Sequence, residues 1–112
     1  MLLEKLKAWG AEPEEALKRL LGDKEFYEKL LDTFAKELQQ DELAAILGRE
    51  DYPAAFVQAH RMKGSAADLG LIPLYEILSV VTDDLRDQVA PGLPEDVEKL
   101  QRVVYGFLEI VG

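Results

Sequence analysis

The sequence predicts an all-α fold: an antiparallel up-and-down four-helix bundle with short capping helices at its N-terminus. Three observations carry that expectation. Apolar residues recur at intervals of three and four along most of the chain, which is the spacing of one helix face and not the alternation of a strand. Gly, Pro and Asp interrupt this pattern at the places where helices need ends and caps. The connections between the longer segments are short, which favours antiparallel neighbours.

Leu2, Leu3, Leu6 and Trp9 define a first short helix, with Gly10 as its stop. Pro13 suits the first turn of a second helix, where Glu14 and Glu15 complement the helix dipole and Ala16, Leu17, Leu20 and Leu21 face inward until Gly22. Asp23 then caps a longer helix whose buried side is Phe26, Tyr27, Leu30, Leu31, Phe34 and Leu38. Polarity rises over Gln39 to Asp41 before Leu43, Ala44, Ile46 and Leu47 resume the stripe, so this region reads equally as one kinked helix or as two. Gly48 to Asp51 makes a turn, and Asp51 caps a helix from about Pro53 to Leu69 that Gly70 ends. Pro73 begins the next helix, with Leu74, Ile77, Leu78, Val81 and Leu85 inward and Glu76, Asp83, Asp84, Arg86 and Asp87 toward water. Ala90 to Pro94 is a turn by composition, and Val97, Leu100, Val104, Phe107, Leu108 and Val111 are the inner face of a last helix. Of the aromatic residues, Phe26, Phe34, Tyr105 and Phe107 fall at core spacing. The expected organisation is one domain over residues 1–112, with 1–22 as capping helices and 23–112 as the bundle.

Composition narrows the function classes. At 112 residues, with 48% hydrophobic and 31% charged, the chain reads as one soluble globular unit. It contains no cysteine, so neither a disulfide framework nor a thiolate metal site is available. Met1 to Lys7 is amphipathic and no run of 18 apolar residues occurs. No membrane span is therefore expected, and without a signal-peptide pattern the cytoplasm is the expected location. A net charge of −9 argues against nucleic acid and anionic lipid, leaving proteins as the expected partners. There is no excess apolar stripe, so a monomer is expected, and a chain running from Met1 to Gly112 without a linker favours a free-standing protein.

The most informative stretch is Ala59-His60-Arg61-Met62-Lys63-Gly64-Ser65-Ala66-Ala67, which holds the single histidine. On a helix, Ala55, Ala59, Met62, Ala66 and Leu69 form one apolar stripe, and His60 points about 120° from its centre, toward solvent. Phe56, Lys63, Gly64 and Ala67 stand one or two turns away and form the surface around the imidazole. Gly64 interrupts a helical pattern at a cost of roughly 1 kcal/mol, which close packing of another helix or close approach by another molecule could offset. Arg61 and Lys63 are the only charged residues between Tyr52 and Ala67, so this patch is positive on an acidic chain. Read alone, a single histidine is ordinarily a surface residue without catalytic duty, and without a second His or a Cys nearby it is not a metal site.

These residues resemble a known signature. His60, Lys63, Gly64 and Ser65, with Ala59 before and Ala66 and Leu69-Gly70 after, look like the motif of histidine phosphotransfer (HPt) domains, usually Ala-His-x-Leu-Lys-Gly-Ser-Ala with Leu-Gly or Ile-Gly shortly after. Met62 replaces the usual leucine, a volume-conserving change. Asp51-Tyr52 resembles the Asp-aromatic pair that opens this helix in the family, and Gly22-Asp23 through Phe34 resembles its preceding helix. The resemblance implies that His60 is phosphorylated. It would accept the group from an aspartyl phosphate on a response-regulator receiver domain, or from a hybrid sensor histidine kinase, and pass it to another receiver aspartate. Mg²⁺ would belong to the receiver, and the chain would need no cofactor of its own. The family often places Gln or Glu on the neighbouring helix near the histidine; Val81-Thr82-Asp83 offers Thr82 or Asp83 instead.

The chemistry suits these assignments. A neutral imidazole is a competent nucleophile near pH 7. Lys63 can place an ammonium beside phosphoryl oxygens, Arg61 adds positive potential, and Gly64 lets a partner backbone approach. Phe56 and Ala67 complete the expected docking surface with Arg61, Lys63 and Gly64. The chain has no Gly-x-x-x-x-Gly-Lys-Ser/Thr loop and no kinase-like glycine loop, so ATP chemistry of its own is not expected. Two alternatives remain: the phosphoacceptor domain of a chemotaxis-type histidine kinase, and a receiver-binding module that carries no phosphate.

Overall fold

The computed structural model describes residues 1–86 and 89–112. Seven helices and no strand occur among the described residues: α1 (Leu2–Trp9), α2 (Pro13–Arg19), α3 (Lys24–Gln39), α4 (Leu43–Gly48), α5 (Tyr52–Asp68), α6 (Ile72–Leu85) and α7 (Leu93–Val111). The fold is all-α. The ambiguous region after Gln39 resolves as two helices, because Asp41 turns its carboxylate onto the Leu43 amide at 3.0 Å and starts α4 afresh.

The caps sit where their chemistry demands. Asp23 Oδ1 accepts from the Phe26 amide and Asp51 Oδ1 from the Ala54 amide, each satisfying a donor that the first helical turn leaves free. Pro13, Pro53, Pro73 and Pro94 all lie in first turns, where a missing N–H costs nothing. The second helix ends earlier than Gly22: α2 stops at Arg19, and the chain reverses through left-handed Leu21 (φ 57°) and Gly22 (φ 78°).

α5 packs most extensively on α6, and α6 on α7, while α3 and α1 also pack on α7. The α5 stripe is buried as its spacing requires: Ala55, Ala59 and Ala66 are fully enclosed, and Met62 and Leu69 nearly so. Tyr27, Leu31, Phe34, Leu78, Val81 and Phe107 fill the remaining interior, with Phe34 and Trp9 both tilted against Phe107 at 5.9 and 5.8 Å. At the α5–α6 turn, the Glu12 amide donates to the Gly70 carbonyl at 2.8 Å, docking the α1–α2 link there. Gly70 (φ 70°) has to be glycine on two counts: a Cβ would meet the Glu12 carbonyl oxygen at 2.5 Å, and the backbone is left-handed. Arg19 donates to the Ala67 and Asp68 carbonyls, so α2 satisfies the C-terminal end of α5.

Four inward or outward assignments differ from the sequence pattern. Leu21, expected on the inner face of the second helix, is 97% exposed, because it lies past the end of α2 in the left-handed reversal. Phe26 is 47% exposed, because it stands in the first turn of α3, where few neighbours reach it, and Tyr105 is 69% exposed on α7. Asp84 is not on a solvated face: its Oδ2 is buried without a hydrogen-bond partner among the described residues. Burial first, then the adjacent Asp96 carboxylate and the charge of Asp83, push its pKa up to about 6. Asp87 lies outside the described residues.

Candidate functional site

α5 carries the site, and its stripe of alanines fixes what faces outward. Small residues at 55, 59 and 66 let α5 sit close to its neighbours, which turns the opposite face, with His60, to solvent. His60, Arg61 and Gly64 are exposed, and Phe56, Lys63 and Ala67 are half-buried around them. The six residues that the sequence singled out therefore share one surface.

The His60 imidazole stacks on Phe56, one turn earlier, with ring centroids 5.9 Å apart and planes 5° from parallel. Lys63 leans toward α6, its Nζ 5.6 Å from the centre of the Tyr75 ring. Arg61 leans the other way. Its Nη2 donates to Gln58 Oε1 at 3.0 Å, and Gln58 Nε2 donates to Asp41 Oδ1 at 2.9 Å, the same oxygen that starts α4. The two cations thus flank the imidazole from opposite sides. Arg61 also borders a cleft of about 260 Å³ between α3, α4 and α5, lined by Glu37, Asp41, Glu42 and Ser65 among others.

Gly64 is explained by neither packing nor backbone. A Cβ there would meet nothing within 4 Å, and its φ is helical. Close helix packing is therefore excluded as its reason, and the open space lies on the histidine face.

Neither candidate partner on α6 reaches for the ring. Thr82 is fully buried, its hydroxyl donating back to the Leu78 carbonyl at 2.6 Å. Asp83 is exposed and pairs with Arg86 at 3.3 Å. Among the described residues no group of three or more His, Asp or Glu side chains is placed to hold a metal ion.

Two residues of this face were not singled out from sequence. Val57, 65% exposed one turn before His60, was legible from its i−3 spacing. Tyr75 was not, because its place beside Lys63 depends on how α6 registers against α5.

An all-α chain that presents a solvent-facing histidine, flanked by cations and by an unencumbered glycine, has the makings of a helical phosphoacceptor module. The Hpt domain family model matches residues 25–108, three quarters of the chain, and the chain belongs to that family. No curated protein and no solved structure gives a significant match. Family membership makes this a histidine phosphotransfer module of the phosphorelay type, a class that works with receiver domains and kinases. No described helix is long and apolar enough to cross a membrane.

Proposed function

We propose that this chain is a phosphorelay intermediate in which His60 takes a phosphoryl group from a receiver aspartyl phosphate and gives it to the aspartate of another receiver. The observation that carries this reading is His60 on the outward face of α5 beside a glycine with open space around it. Nε2 attacks phosphorus as the bond to the aspartyl oxygen breaks, that electron pair leaving with the carboxylate; the ring carries the positive charge until the Nδ1 proton departs. The return step reverses this order. Lys63 and Arg61 supply positive charge to the phosphoryl oxygens and to an acidic partner pocket, and Mg²⁺ is the partner's contribution. Phe56, Arg61, Lys63, Gly64 and Ala67 form the docking surface.

The architecture behind this role is an antiparallel up-and-down bundle of α3, α5, α6 and α7, with α1 and α2 as a cap and residues 1–112 as one domain. The short α5–α6 turn, the packing of α3 and α6 on α7, and the docking of the α1–α2 link on Gly70 support it. The protein works as a cytoplasmic monomer.

Comparison of the two donors tests the direction of supply. The chain is offered a phosphorylated receiver and an ATP-loaded histidine kinase core separately. Transfer from receivers supports the relay; transfer from the kinase core alone would make the chain a kinase acceptor domain.

A further inference from the structure

The Phe56 stack has a consequence for the chemistry of His60. We infer that Phe56 is a positioning residue for phosphoryl transfer, holding the imidazole plane by stacking in place of a hydrogen bond from α6. The inference rests on the reading of His60 as the phosphoacceptor.

Three features carry it. The rings are 5° from parallel at 5.9 Å, within the range of offset stacking. Phe56 is itself partly buried against the core, so its ring is a fixed platform and not a second mobile group. The two α6 side chains that could orient the imidazole are committed elsewhere, Thr82 to the Leu78 carbonyl and Asp83 to Arg86.

The geometry suits the reaction. The Nε2 lone pair lies in the imidazole plane, so a ring stacked on the face sets its direction without covering it. When the N–P bond forms and the aspartyl P–O bond breaks, the imidazole gains a positive charge, which the ring carries until the Nδ1 proton departs. Holding a nucleophile in the in-line direction reduces the orientational entropy that transfer has to overcome. Phe56 acts through His60 and need not touch the phosphoryl group.

The test compares wild type with Phe56→Leu and Phe56→Tyr on the full chain. Three quantities are read: the ring-current shifts of the His60 Hδ2 and Hε1 protons by NMR, the single-turnover transfer rate at saturating phosphorylated receiver, and the receiver concentration at half-maximal rate. Loss of the ring-current shift in Phe56→Leu, with a saturating rate lowered about tenfold beside any change in half-saturating concentration that its place on the docking surface brings, supports positioning. Phe56→Tyr should restore both shift and rate. An unchanged saturating rate in Phe56→Leu would overturn the inference. So would an effect confined to the half-saturating concentration, which would leave Phe56 a docking contact with no positioning role. Should Phe56→Leu fail to fold by circular dichroism, Phe56→Met replaces it. A wild-type chain with the NMR stack intact that accepts phosphate from no receiver would instead bring down the phosphoacceptor reading, and this inference with it.

Discussion

Lys63 Nζ lies 5.6 Å from the centre of the Tyr75 ring, which ties the cation beside His60 to the neighbouring helix. Such a contact is worth about 0.5–1 kcal/mol at a partly exposed site. That is enough to bias where the ammonium rests, and too little to hold it against a phosphoryl oxygen. Tyr75→Ala should therefore lower the saturating transfer rate severalfold, while Tyr75→Phe, which keeps the ring, stays close to wild type. Single-turnover transfer by the two variants checks this, and equal loss in both would point to the tyrosine hydroxyl instead.

Gly64 separates stability from function. Alanine in its place meets no protein atom and gains helix propensity, so Gly64→Ala should raise unfolding stability by up to about 1 kcal/mol. The same methyl stands on the proposed docking face and should raise the receiver concentration at half-maximal transfer. Denaturant unfolding and transfer kinetics on one preparation decide it, and a variant that is more stable and equally active would remove Gly64 from the interface.

Asp84 gives the fold a pH dependence of definite sign. Its pKa of about 6 in the folded chain lies above the ordinary 3.8, so the folded state holds the proton more tightly. The stabilisation from protonated Asp84 is complete below about pH 3.8 and is lost as pH rises through about 6. Asp84→Asn, neutral throughout, should exceed wild type by about 1 kcal/mol at pH 7, after allowance for solvent screening, and the gain should shrink toward pH 4. Thermal melts of the two chains between pH 4 and 8 measure it.

Tyr27 closes the far end of the histidine helix. Its buried hydroxyl donates to the Leu69 carbonyl at 2.7 Å, and burial pushes its pKa up to about 12. Tyr27→Phe leaves that carbonyl without its partner and should cost about 1–2 kcal/mol of stability. Transfer well below the melting temperature should be unchanged, because the hydroxyl binds beyond Asp68, at the end of α5 away from His60.

Much of this was legible in the sequence because helix periodicity is local. Ala55, Ala59, Met62, Ala66 and Leu69 fixed which face of α5 is buried, and so where His60 points. Asp23 and Asp51 marked helix starts through chemistry that acts within three residues. What could not be read depends on neighbours distant in sequence. The Lys63–Tyr75 contact needs the register of α6 on α5. The burial of the Asp84 carboxylate needs Asp96, brought alongside it from the first turn of α7. Thr82 was a candidate partner for the imidazole until the packing of α6 turned it inward.

The most direct test of the central claim is transfer from a receiver phosphorylated on aspartate, scoring acid-labile, alkali-stable phosphate on this chain and on His60→Gln. Phosphate that leaves the receiver, appears on wild type and is absent from His60→Gln is the predicted result. Equal phosphate on both chains, or none on wild type across a broad panel of receivers, would contradict it.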